Sequence, residues 1–191
     1  ERKRWWLSLG IRSEEGRDAN LLKFSDTVLR GGKPPEKKSK GFGDNYHGGD
    51  LLNSEMYSGT SIFDPVLAEL AYLWFCPEDG AVLDPFAGGS VRGIVAGRMG
   101  RSYQGVELRE EQVKANKKQA EEISTEKKPE WICGDSRELL KLTGKGKVDF
   151  IFSCPPYGSL ERYSDDPRDL SNMEHEAFTE ALAEIVKLSM T

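Results

Sequence analysis

From residue 61 onward the chain alternates between short continuous apolar runs and longer stretches whose apolar residues recur at helical spacing. The stretch "SIFDPVLAELAYLWFC", residues 61–76, carries Ser61 and Asp64 as candidate caps and Pro65 as a first-turn residue. Val66, Leu67, Leu70, Leu73 and Trp74 then fall at helical intervals, which predicts a helix ending near Pro77, with Trp74 and Phe75 assigned to the core. "AVLDPF" reads as a short strand broken by Pro85, and "AGGSVRGIVAGRMG" as a glycine-rich turn that opens a helix stopping near Gly100. "SYQGVEL", "EWICGD" and "VDFIFSC" read as three further strands. They are separated by the charged amphipathic helix "REEQVKANKKQAEEIS" and the short helix "SRELLKL". A long final helix lies within "NMEHEAFTEALAEIVKLSM". Strands alternating with helices at this spacing predict βαβ units, a mostly parallel sheet and helices on both of its faces. Right-handed crossovers would bring every strand tip to one edge, where such folds bind ligands.

The first sixty residues follow neither rhythm. Trp5, Trp6, Leu7 and Leu9 are too apolar for a free tail and are expected to pack on the body. Residues 31–59, rich in Gly, Pro, Lys and Ser, read as loop or flexible linker. This gives two parts: a basic arm with a loop over residues 1–60 and a catalytic domain over 61–191.

Charge follows the same division. Residues 1–40 hold 11 Lys and Arg against 6 Asp and Glu, although the whole chain of 191 residues carries a net charge of -5. A nucleic-acid partner would meet this arm first; a solvated mixed-charge segment explains the charge equally well. Three widely spaced cysteines and two histidines suggest neither a disulfide framework nor a metal site. The absence of a long apolar run or a signal-peptide pattern points to a cytoplasmic setting with no membrane passage.

The glycine turn after the first strand suggests a nucleotide-type site, because glycines let the backbone approach a ligand and helix N–H groups face it. It has neither the dinucleotide spacing nor a phosphate-loop lysine, so a pyrophosphate is not expected. Asp84 ends its strand where it could accept from a cationic amine. Glu107 ends the next strand where an acid would hold ribose hydroxyls, and Asp135 ends the third, where it could accept from an adenine amino group. Three acids on successive strand tips suit a nucleoside bearing an ammonium group, and S-adenosylmethionine answers that description. The alternative for Asp84 and Asp135 is capping of the following helices.

The stretch "VDFIFSCPPYGSL" ends its strand in a cysteine, two prolines and a tyrosine. With "DPFAGGS", it resembles the S-adenosylmethionine-dependent amino-methyltransferases of nucleic-acid bases, especially the DNA adenine-N6 and cytosine-N4 enzymes. "DPFAGGS" is similar to their cofactor motif and "SCPPYG" to their catalytic Asp/Asn/Ser-Pro-Pro-Tyr, over roughly residues 61–157. "RKRWWLSLGIRSEEGRDANLL" and "YSDDPRDLSNM" resemble more narrowly a phage- and prophage-type subgroup, a setting associated with restriction-modification.

The resemblance implies a Rossmann-like fold whose cofactor contacts come from Ser61, Phe63, Asp84, Pro85, Phe86, Ala87, Gly88, Gly89, Ser90, Glu107, Leu108, Gly134, Asp135 and Ser136. It further implies catalysis by Cys154, Pro155, Pro156 and Tyr157 on the exocyclic amino group of a base flipped out of double-stranded DNA. Cys154 departs from the motif: a thiol is a weak acceptor where the relatives use an oxygen or an amide. Cysteine is nearest to serine in size and polarity, which tilts the base choice slightly toward cytosine-N4. Ser153 is expected to point to the opposite face of its strand. An RNA-base or protein-glutamine acceptor, or an inactive module binding nucleic acid or a partner subunit, stays open beside the DNA reading. Relatives continue with further strands, so the catalytic domain is expected to be incomplete after its fourth strand and helix. A homodimer or partner chain would then cover the apolar edge.

Overall fold

The computed structural model describes residues 1–12, 15–16, 63–144, 146–158 and 162–191. Ser61 and the residue 31–59 stretch lie outside them. Four strands, β1 (Ala81–Asp84), β2 (Ser102–Glu107), β3 (Glu130–Cys133) and β4 (Phe150–Ile151), form one all-parallel sheet in the order β3-β2-β1-β4. The described helices are α1 (Arg2–Ser8), α2 (Pro65–Phe75), α3 (Val91–Arg98), α4 (Glu110–Glu122), α5 (Leu139–Thr143) and α6 (His175–Ser189). The arrangement is a Rossmann-like fold.

Alternation along the strands explains the two layers of core. Val82, Tyr103 and Trp131 point to the face covered by α2, α3 and α4, where they meet Ile94, Val95 and Val113. Leu83 and Val106 point the other way, with Ile132 beside them, onto Leu139 and Leu188 of α5 and α6. The register pairs Asp84 with Gly105 and Glu107 with Cys133, so the tips of β1, β2 and β3 finish along one edge of the sheet.

Local chemistry sets the element boundaries. Asp64 caps α2 by accepting from the Val66 N–H at 2.9 Å, and Pro65 occupies the first turn where no N–H is needed. The expected strand at residues 148–154 is shorter than the sequence pattern predicts. Its ladder with β1 holds only Phe150 and Ile151, flanked by hydrogen bonds from Asp149 N to Ala81 O and from Phe152 N to Leu83 O. Beyond them the Ser153 side chain turns under the first strand tip and Pro155 brings no N–H to a ladder. The short helix expected after β3 begins as a 3₁₀ turn, Ser136–Glu138, before becoming α5.

The core assignment of Trp74 and Phe75 is corrected: they are 70% and 65% exposed. α2 approaches α3 through Ala68, Ala71 and Tyr72, whose small or flat side chains allow close packing, and this turns the larger residues outward. Phe75 rests its ring 6.2 Å from that of Phe150, beside the sheet edge at β4. Of the four apolar residues expected to pack at the N-terminus, Trp6 is buried and Leu9 partly buried, while Trp5 and Leu7 stay exposed; Ile11 is buried as well. The Trp6 indole donates to Glu69 of α2 at 2.7 Å, and the same carboxylate receives the Arg2 guanidinium. No helix among the described residues is long and apolar enough to cross a membrane.

Candidate active site

The three strand tips and the Cys154–Tyr157 loop enclose one cavity. Its floor is the glycine turn. Gly88 adopts φ +51°, the left-handed region that favours glycine, and a side chain there would meet nothing within 4 Å. The turn is pinned on three sides. The Ala87 N–H donates to Val106 O at 2.9 Å, the Gly88 N–H to Glu107 Oε2 at 3.0 Å, and the Asn116 side chain donates to Gly88 O at 2.7 Å. Gly105 permits this close approach: a Cβ there would lie 2.8 Å from the Cβ of Ala87.

Glu107 stands at the β2 tip with its carboxylate facing the cavity. Burial pushes its pKa up, and nearby Asp169 adds to the rise, against the hydrogen bonds it accepts from the Arg109 and Gly88 N–H groups. Asp135 at the β3 tip behaves oppositely. Desolvation works against its charge, but hydrogen bonds from Arg137 and the positive charges of Arg137 and Arg168 hold its carboxyl below the usual carboxylate range. It also caps the following 3₁₀ turn, accepting from Arg137 N at 2.9 Å. Ser136 ties this tip to β1 by donating to Pro85 O.

The structure places Asp84 differently from its neighbours. Its side chain is fully buried and does not wall the cavity. One oxygen receives Ser153 Oγ at 2.6 Å and the Phe86 N–H at 3.2 Å. The other receives Arg92 Nε at 2.6 Å and Tyr103 Oη at 2.7 Å. Occupied by these four donors, Asp84 orders the turn from behind instead of meeting an ammonium group directly. Ala87 and Ser90 likewise lie buried behind the wall, and Pro155, partly exposed, sits between two lining residues, Cys154 and Pro156. Phe63, Pro85, Phe86, Gly88 and Gly89 line it, as do Glu107, Leu108, Gly134, Asp135 and Ser136.

Of the loop that follows β4, Cys154, Pro156 and Tyr157 border the cavity. The Cys154 Sγ lies 3.4 Å from Tyr157 Oη, and the Tyr157 side chain is exposed at the mouth. Ser153 does point the opposite way, as alternation requires, into the Asp84 network.

Arg92, Arg109 and Gln112 also line the cavity, without having been candidates from the sequence, and Tyr163, Arg168 and Asp169 of "YSDDPRDLSNM" line it from the segment after the Cys154–Tyr157 loop. The signal for Arg92 was a lone charge amid the small and apolar residues of "SVRGIVAG". In the structure it is buried under Phe63, with its guanidinium 4.7 Å from that ring and donating to the carbonyls of Phe86 and Ala87. Asp169, which its place close to Pro167 marks as a turn or cap residue, does cap the 3₁₀ turn 170–172 by accepting from the Ser171 N–H, and its carboxylate also accepts from the Ser164 and Ser171 hydroxyls, near the Glu107 side of the cavity.

The donor set fits an adenosine-type sulfonium cofactor. An open glycine cradle lies beside one acid held ionised, Asp135, and one acid at the adjoining tip, Glu107. Among the described residues, no three His, Cys, Asp or Glu side chains gather to hold a metal. A family model described as RNA cap guanine-N2 methyltransferase matches residues 79–191, from just before β1 through α6. No curated protein matches the chain.

Proposed function

The chain belongs to the RNA cap guanine-N2 methyltransferase family and takes its methyl group from S-adenosylmethionine, and on that premise we propose that the acceptor is the exocyclic amino group of a nucleic-acid base presented to Cys154, Pro155 and Tyr157. The observation that carries this reading is the convergence of the glycine cradle and the Cys154–Tyr157 loop on one cavity. An exocyclic amino nitrogen is a poor nucleophile because its lone pair is delocalised into the ring. Acceptors that hold its two hydrogens favour a tetrahedral geometry and free that lone pair. Pro155 would offer its carbonyl and Cys154 its sulfur, on a loop that the prolines hold rigid. Tyr157, at the mouth, would stack on a base taken out of its helix.

The bound cofactor supplies an electrophilic methyl on a sulfonium. The chain's own residues position it: Gly88 and Gly89 allow close approach, Glu107 would accept from ribose hydroxyls, and Asp135 from the adenine amino group. The Asp84–Arg92 pair keeps the turn in shape. Positioning in a water-poor cavity then accounts for most of the acceleration.

We assign guanine-N2 in RNA as the acceptor, because the family match favours it. The second reading is DNA, at cytosine-N4 or adenine-N6, because "DPFAGGS" and "SCPPYG" follow the pattern of the DNA amino-methyltransferases. Both use an exocyclic amino group and the same loop. The test incubates the full chain with isotope-labelled S-adenosylmethionine and either capped RNA or duplex DNA, followed by mass spectrometry of the nucleosides. Labelled N2-methylguanine supports the first reading and N4-methylcytosine or N6-methyladenine the second. Label in neither polymer overturns both.

A further inference from the structure

The amphipathic helix α4 buries a polar stripe. Gln112, Asn116 and Gln119, spaced to share one face, are all buried, and Arg109 stands at the helix N-cap in line with them. On one side these side chains hold the glycine turn. Asn116 donates to Gly88 O at 2.7 Å, and Gln119 Oε1 accepts from Ser90 Oγ at 3.0 Å. On the other side they hold backbone from the N-terminal segment. Gln119 accepts from Arg12 N at 2.8 Å and donates to Arg12 O at 2.5 Å, Gln112 donates to Glu15 O at 2.9 Å, and Arg109 donates to Gly16 O at 2.9 Å. Gln112 also donates to Asn116 Oδ1 at 3.0 Å, which links the two sides directly.

This geometry is more than packing. Gln119 bonds both the N-terminal backbone and the turn, Gln112 bonds the N-terminal backbone and Asn116 bonds the turn, so with the Gln112–Asn116 bond the stripe is fully satisfied only while both are in place. Gly16 sits with φ +84°, and a Cβ there would lie 2.8 Å from Ala115 Cβ and 3.0 Å from Gln112 Cα, so the segment is seated tightly on α4. We propose that the backbone at Arg12, Glu15 and Gly16, outside the residues the family model matches, is a positioning element of the cofactor site. It acts through Gln112, Asn116 and Gln119 to hold the glycine turn in its binding shape. The inference rests on the placement of S-adenosylmethionine in this cavity.

The experiment measures S-adenosylhomocysteine binding by calorimetry on the full chain, with circular dichroism as a check of folding. Gly16→Ala, which lifts the segment off α4, and Asn116→Ala, which frees Gly88 O, should each weaken binding about tenfold, the scale of one buried hydrogen bond. The double variant should lose less than the product of the two, because both open the same relay. The KM for the cofactor should rise while that for the methyl acceptor stays unchanged. Glu107→Ala serves as the control for the cavity. If it abolishes binding while folded Gly16→Ala and Asn116→Ala bind as the parent does, the N-terminal inference is overturned and the cavity assignment stands. If Glu107→Ala also binds normally, the cavity assignment itself fails. Hydrogen exchange on the unaltered protein needs no variant: S-adenosylhomocysteine should slow exchange in the peptide carrying Arg12 and Gly16, and unchanged exchange there overturns the proposal.

Discussion

The Arg92 guanidinium and the Asp84 carboxylate meet at 2.6 Å in the interior, both shielded from solvent, behind the turn that floors the cavity. This pair joins α3 to the end of β1. Through Tyr103 and Ser153 it also reaches β2 and the exit of β4. Burial depresses the guanidinium's pKa, but the Asp84 charge and hydrogen bond outweigh that effect and hold it above its ordinary value, so the guanidinium keeps its charge.

Removing one partner of such a pair leaves an uncompensated buried charge. Asp84→Asn is therefore expected to destabilise the fold by about 3–5 kcal/mol. Arg92→Met, which leaves the carboxylate with Tyr103, Ser153 and the Phe86 N–H, is expected to cost less. Urea unfolding of the two variants checks the order.

Glu107 makes stability depend on pH in a stated direction. Its folded-state pKa is raised by burial, so the folded protein holds that proton more tightly than the unfolded chain does. The contribution is fully present below the ordinary glutamate value and is lost as pH rises through the raised one. Cofactor-free protein should lose stability across that window, and Glu107→Gln should remove that part of the slope. Urea midpoints of both proteins at a series of pH values provide the measurement.

Cys154 offers a direct comparison of sulfur with oxygen. With a hydroxyl as a better acceptor, Cys154→Ser should raise kcat about three- to tenfold, within the range of one hydrogen bond's net worth. Cys154→Ala should lower it, and neither change should move the KM for S-adenosylmethionine. Steady-state methyl transfer to whichever polymer takes the label gives the answer; equal kcat in all three proteins would remove Cys154 from the chemistry.

Gly93 tests the packing of α3 on the sheet. A Cβ at this position would lie 2.4 Å from the Trp131 ring and 2.9 Å from that of Tyr103, both fully enclosed. Gly93→Ala is expected to destabilise by about 2–3 kcal/mol despite alanine's better helix propensity, because overpacking outweighs it. Thermal unfolding without cofactor measures it.

Local pattern was sufficient wherever a feature depends on neighbouring residues. Strand and helix rhythms, the Asp64-Pro65 helix start, the glycine turn and the proline loop could all be read in this way, because propensity, capping and turn chemistry act over a few positions. Alternation even placed Ser153 on the face away from the cavity. Tertiary structure decided what depends on distant partners. The three strand-tip acids look alike in sequence, yet Asp84 is consumed by Arg92, Tyr103 and Ser153, while Glu107 and Asp135 remain at the cavity wall. Trp74 and Phe75 carry a core-like pattern but face outward, because Ala68 and Ala71 permit the closer approach to α3. Gln112, Asn116 and Gln119 belong to a charged amphipathic helix, and nothing in their polar character marks them as interior. Only the arrival of the N-terminal backbone, about a hundred residues away in sequence, makes them interior, because a buried amide is stable only where a partner from elsewhere in the fold satisfies it.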